Sequence, residues 1–209
     1  MNFVKTLKAK RSDQDKIPIE QVLDRIVTLN RGIRDFWSSA DGWAPIEAAA
    51  LLSKSRLDWQ VSLSATLRLW FPSGGSQLTD GRLILAWANL GSLVEGTMKL
   101  FLSVFYADYS KDIDAFKKKN GKLIDPDVLT LERLRQFFTK KDLLSSEWES
   151  YVQHVQSRRN AIHAFEDKEL GTGLEYEQAV RRYLKLVREI NSRIPYPDHA
   201  FVPDEHGPL

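Results

Sequence analysis

Apolar residues along most of the chain recur at intervals of three and four, the spacing that lays one stripe down a helix. From Ile19 to Trp37, residues Val22, Leu23, Ile26, Leu29, Ile33 and Phe36 make such a stripe, and Pro18 before them suits a helix start. A turn at Asp41-Gly42 closes it, and a second helical region is predicted over about 45–71 with an interruption near 53–55. "PSGGSQLTDG" is a loop by composition. The next pattern, Gly81 to about Asp108, is apolar nearly all round, including Trp87, Leu90, Leu93, Val94, Met98 and Phe101, which marks a helix surrounded by protein. Its apolar stretch, Leu83 to Tyr106, is long enough to cross a bilayer. Asn89, Glu95 and Lys99 interrupt it, however, and no second span follows, so a central core helix is expected and a membrane partner is not.

The polar section "YSKDIDAFKKKNGKLIDPD" comes next. Its three lysines before Asn120-Gly121 read as a helix C-terminus, where cations favour the dipole. "LTLERLRQFF" is a short helix. "SSEWESYVQHVQSRRNAIHAF" opens with Ser145 or Ser146 as N-cap and acids in its first turn. Gly171 and Gly173 separate it from a last helix, "LEYEQAVRRYLKLVREINSRI". No stretch reads as a strand and no repeat is present. The expected fold is all-α, a bundle of about six to seven helices over 17–194 with a long buried central helix. A basic arm (1–16) precedes it and a Pro-rich tail (195–209) follows.

Composition narrows this picture. A chain of 209 residues with 43% hydrophobic positions fits one domain with tails and a substantial core. The net charge of +2 argues against a protein living by bulk attraction to nucleic acid, and leaves room for a local basic patch. No cysteine is present, which excludes disulfides, thiolate zinc sites and cysteine nucleophiles, and makes a cytoplasmic location the expectation. The start, "MNFVKTLKAKRSDQDK", holds no apolar run of signal-peptide length. The glycine loop lacks the Gly-Lys-Ser/Thr of a phosphate-cradling loop.

Candidate chemistry gathers in "SRRNAIHAF", residues 157–165. On a continuous α-helix each residue advances about 100°, so Arg159 and His163 would share a face and Asn160 would flank them. Arg158, offset by about 140° from His163, would reach round the side. Ala161, Ile162, Ala164 and Phe165 would anchor the opposite side. Two guanidiniums, an amide and an imidazole suit phosphoryl chemistry. Arginine holds phosphate oxygens with paired donors, histidine exchanges protons near neutrality, and RNA brings its own nucleophile, the 2′-hydroxyl. The plainer reading is a polar helix surface with one half-buried imidazole.

"RRNAIHAF" near the end of a penultimate helix resembles the signature of the HEPN superfamily, in which an arginine precedes a histidine by four to six intervening residues. Arg158 and His163 have four, with Arg159 in the slot where many members carry asparagine and Asn160 one place later. "ANLGSLVEGTMKLFL", residues 88–102, is similar to the central helix of many members. The resemblance implies a helical bundle, and a homodimer in which two motifs face each other across one composite site. It also implies a metal-independent endoribonuclease without cofactors, in a toxin-antitoxin or antiviral defence setting, with RNA as substrate and an antitoxin or defence protein as a further partner. In that reading His163 is the acid or base, Arg158 the phosphate clamp, and Arg159 and Asn160 its support. The alternative the family also allows is a catalytically silent module that binds a nucleotide or a protein. Toxins modified by a partner nucleotidyltransferase commonly carry tyrosine two places after the histidine. Phe165 stands there, so that route is not expected, although Tyr176 and Tyr183 lie nearby in sequence.

Other groups compete with these for a role. Glu95, a carboxylate in apolar surroundings, needs a cation: it either braces Arg158 or Arg159, or pairs with Lys99 four residues on. Arg181, Arg182 and Lys185, with Arg188, form a basic strip that is either a solvated face or an RNA-backbone track. Lys5, Lys8, Lys10 and Arg11 in the arm would assist similarly. His154 reads as a surface residue. His199 and His206, with Asp198, Asp204 and Glu205, read as a soluble tail rather than a metal site. A helical regulator that binds duplex DNA is a third reading, which the modest net charge disfavours.

Overall fold

The computed structural model describes residues 17–72, 78–163 and 168–206. The basic arm, the middle of the glycine loop, Ala164 and Phe165 lie outside the described residues. Among the described residues eight α-helices form: α1 (Ile19–Trp37), α2 (Ile46–Lys54), α3 (Leu57–Thr66), α4 (Asp80–Val104), α5 (Tyr106–Lys111), α6 (Leu131–Lys140), α7 (Ser146–Arg159) and α8 (Gly173–Arg193). No strand is present among the described residues, so the fold is all-α as the periodicity predicts.

α4 is the axle. It packs against α2, α3, α6, α7 and α8, while α1 lies on α3 and α8. Trp87, Leu90, Leu93, Val94 and Met98 are all fully buried, and each contributes about 1.5–3 kcal/mol by leaving water. Two glycines let polar side chains reach α4 closely. A Cβ at Gly91 would stand 2.5 Å from Arg159 Cδ, and one at Gly96 would strike the carboxamide of Gln60. Gln60 donates to the Leu93 carbonyl (2.8 Å) and to the Tyr183 hydroxyl (3.2 Å), pinning α3 to α4 and α8. No described helix is long and apolar enough to cross a membrane.

Four expectations need correction. The long helix breaks at Phe105, where the backbone (φ −95°, ψ 32°) leaves helical geometry before α5 begins. The lysines before Asn120-Gly121 close no helix. They sit in a hairpin-like turn, with Lys117 bridged to Leu123 and Gly121 at φ +80° supplying a conformation that side chains disfavour. α7 stops at Arg159, and Asn160–His163 is a 3-10 turn. Finally, the tail belongs to the domain through residue 206. Tyr196 accepts from Trp37 Nε1 (3.2 Å) and donates to Asn191 (2.6 Å); Pro203 sits on Gly32; and Glu205 is held by Arg25 and Arg188. Glu205 is thus an ion-pair partner, and no group of three or more His, Asp or Glu side chains converges as metal ligands among the described residues.

The tail contact predicts a stability effect. Tyr196→Phe strands the buried Trp37 indole N–H and should cost about 1–3 kcal/mol, lowering Tm by roughly 2–4 °C per kcal/mol. An unchanged melting curve would mean that the tail is not docked.

Candidate functional site

The RRNAIH segment is positioned by the way α7 meets α4 and α8. Ser145 caps α7 by accepting from the Trp148 amide, and Tyr151, Val152 and Val155 are buried against the bundle. The last turn therefore arrives at α4 with Arg158 and Arg159 on different sides. In the 3-10 turn that follows, each residue advances about 120°. That is why Arg159 and His163 do not keep the shared face expected for a continuous helix.

Arg159 crosses α4 at the Gly91 notch and donates from Nη1 to Glu95 Oε2 at 2.6 Å. Lys99 meets the other oxygen at 2.8 Å. Both partners weighed for Glu95 are thus present together, with Arg159 rather than Arg158 as the bracing arginine. Burial alone would raise the Glu95 pKa, but the hydrogen bonds from Lys99 and Arg159 outweigh it and hold the carboxyl below the ordinary range.

Arg158 turns the opposite way and is buried, its side chain only 9% exposed. Its guanidinium donates to the Glu169 carbonyl, and its Nη2 lies 3.3 Å from the Glu169 carboxylate and 3.5 Å from Glu175. Its Nε has no partner among the described residues. Glu175 does double duty: its second oxygen accepts from the Thr172 amide (2.7 Å) while the Thr172 hydroxyl accepts from the Glu175 amide. This capping box starts α8 just where Arg158 arrives. Trp87 Nε1 donates to the Leu170 carbonyl (2.9 Å), so the same short segment, 169–172, is tied to α4 as well.

His154, read from the sequence as a surface residue, is half-buried. It stands four residues before Arg158 and meets the Trp87 ring edge-on at 5.4 Å. Burial lowers its pKa, and the charges of Arg158 and Arg182 act in the same direction against Glu175 and Glu169. The imidazole is therefore held towards its neutral form beside the buried guanidinium.

Asn160 and His163 are exposed and make no side-chain hydrogen bond to any described residue, while Ala161 is buried beneath them. Ile162 is 45% exposed on the same turn, and Leu85 is 52% exposed on α4, the helix against which that turn packs. Tyr176 and Tyr183 are fully buried. The basic strip of α8 is engaged internally. Arg181 pairs with Glu177 (2.8 Å) and donates to the Ile17 carbonyl; Arg182 lies over the Tyr151 ring and donates to the Glu147 carbonyl; Lys185 is half-buried.

The structure thus brings Arg159 to Glu95, and Arg158 to His154, Glu169 and Glu175, and it leaves Asn160 and His163 on the surface. Of the residues the sequence reading missed, Glu175 had a readable signal in the spacing Thr172-x-x-Glu175, and His154 in its four-residue separation from Arg158. Glu169 had none, since its contact depends on how the loop after the motif folds back.

The Glu95 pair carries a pH signature. Its carboxyl is depressed in the folded state, so its stabilisation is complete above the ordinary value of 4.5 and disappears as pH falls through the lower native value. Glu95→Gln should cost about 1–3 kcal/mol at pH 7, and the gap to the natural chain should close in melts taken near pH 3. A gap independent of pH would show that the ion pair is not its source.

Comparison of the chain with protein-family models, with curated proteins and with solved structures gave no match in any of the three.

Proposed function

We propose that the chain is a metal-independent endoribonuclease of HEPN type that acts as a pair of copies, with both RRNAIH segments enclosing one phosphodiester. One observation carries this reading. Asn160 and His163 stand exposed, with no side-chain partner among the described residues, at the end of a helix whose last two guanidiniums are already anchored on either side. Cations held by packing and ion pairs stabilise developing charge without reorganising, which is where most electrostatic catalysis originates.

The chemistry favours two copies. Cleavage by the 2′-oxygen forms a bond from that oxygen to phosphorus and breaks the bond from phosphorus to the 5′-oxygen. One base accepts the 2′-hydroxyl proton and one acid supplies a proton to the leaving 5′-oxygen. The turn offers one exposed histidine per copy, so a facing pair supplies both groups. Ile162, exposed on the turn, gives such a pairing an apolar contact. Arg158 is the phosphate clamp, and Arg159 with Asn160 supports the turn. An antitoxin or defence-system protein fits as the controlling partner.

A second reading is favoured by the same ion pairs. Carboxylates already occupy Arg158 and Arg159, as in a module that uses this fold to bind a partner or a nucleotide without cutting anything.

The full chain incubated with single-stranded RNA in EDTA separates the two. The nuclease reading expects products ending in 2′,3′-cyclic phosphate, with cleavage reduced about 10²–10⁴-fold by His163→Ala and by Arg158→Ala. It also expects Glu169→Gln, which removes a carboxylate competing for Arg158, to lower KM severalfold. Absence of cleavage, combined with loss of a bound partner in the same two variants, establishes the silent module instead. Cleavage that survives both substitutions places the activity elsewhere.

A further inference from the structure

Many cations of the described residues are held in ion pairs, and one hairpin gathers four that are not. Residues 116–124 fold back on themselves: Lys118 donates to the Lys122 carbonyl (2.8 Å), Ile124 to the Phe116 carbonyl (2.8 Å), and Gly121 to the Lys118 carbonyl (2.9 Å). The Asn120 side chain accepts from the Lys122 amide at 3.1 Å, closing the tip. Lys117, Lys118, Lys119 and Lys122 all project from this turn, all are exposed, and none pairs with a carboxylate among the described residues. The neighbouring acids are taken: Asp112 and Asp114 bind Lys141 (2.6 and 2.8 Å), and Asp114 also binds Lys140 (2.6 Å).

The hairpin is also held firmly at its base. The Tyr109 hydroxyl donates to the Ile124 carbonyl and the Tyr106 hydroxyl to Asp125, both at 2.8 Å. The Arg133 guanidinium lies 5.5 Å from the centre of the Phe116 ring. Phe116, Leu123 and Ile124 pack against the core, so the tip itself presents four ammonium groups and no apolar anchor.

We propose that the 117–122 hairpin is a docking site for the sugar-phosphate backbone of single-stranded RNA, a surface separate from the RRNAIH turn. Lysine is a compact point charge without directional preference, suited to following a phosphate chain without reading its bases. Protein–protein hot spots are enriched in aromatic anchors and insertion into a membrane interface takes an apolar face beside the cations; this tip offers neither. The arginines of α8 cannot take the same role, because Arg181 and Arg182 are committed to Glu177 and Glu147. The choice of RNA over other polyanions rests on the ribonuclease reading.

Salt dependence tests the site directly. Fluorescence anisotropy would follow the full chain binding a labelled 2′-O-methyl RNA of about 20 nucleotides, which offers the backbone but cannot be cut, across a range of salt concentrations. For single strands the slope of log K against log salt is about 0.7 per neutralised phosphate, so replacing all four lysines by alanine should flatten it by as much as about 3. Affinity at 100 mM salt should fall at least tenfold, replacement by four arginines should restore it, and thermal melts of the alanine variant should match the natural chain. A slope altered by less than one, or an alanine variant that loses its fold, overturns the proposal. So does a variant that keeps its RNA binding and loses only its binding to phosphatidylserine vesicles or polyglutamate. Because nothing is cleaved in this assay, absent nuclease activity with an intact salt effect retires the ribonuclease reading and leaves the hairpin standing.

Discussion

The approach of α7 to α4 at Gly91 is the constraint on which the candidate site depends. A side chain at that position would collide with the stem of Arg159, and the arginine would lose its path to Glu95. With the notch present, the last turn of α7 is clamped between two helices. Its two consecutive arginines point to opposite sides, one across α4 and the other to the start of α8. The two cations are thereby held in ion pairs, and the short turn after them faces solvent.

The same division places the motif in a frame that is rigid on three sides. Trp87 is fully buried in α4, yet it touches His154 of α7 and Tyr176 of α8 through its ring and the Leu170 carbonyl through its N–H. One indole therefore connects the helix bearing the arginines, the segment that engages Arg158 and the helix that follows. Ordering of this kind is what a phosphate site gains most from, since the entropy of fixing long side chains is settled during folding. It serves a static binding surface equally well.

Helical periodicity carried most of the architecture. The stripe of α1, the cap at Ser145 and the nearly all-round burial of α4 are legible because each is a local property of a helix. What was not legible depends on contacts between elements. No local pattern says that α7 tightens into a 3-10 turn one residue before Ala161 or that His154 lies against Trp87. Nor does one show the Pro-rich tail finding Trp37, Asn191 and two arginines. The lysine run shows the limit well, since cations before Asn-Gly end helices and hairpins alike, and only the partners of Phe116 and Ile124 decide between them. In the site, the residues belonging to one stretch of sequence were identifiable, but their directions were not.

Arg158 is buried against Glu169 and Glu175 while His163 is exposed, so the proposed nuclease takes its arginine from one copy and its histidine from the other. Mixing two inactive proteins tests this most directly: a chain carrying Arg158→Ala, unfolded and refolded together with one carrying His163→Ala, then assayed on RNA in EDTA. Mixed pairs retain one arginine and one histidine on opposite copies, enough for one of the two proton transfers, so cleavage should rise above that of either variant while staying well below the natural rate. If the refolded mixture stays as inactive as either variant while the natural chain cuts RNA, the site lies within one copy and the account is wrong.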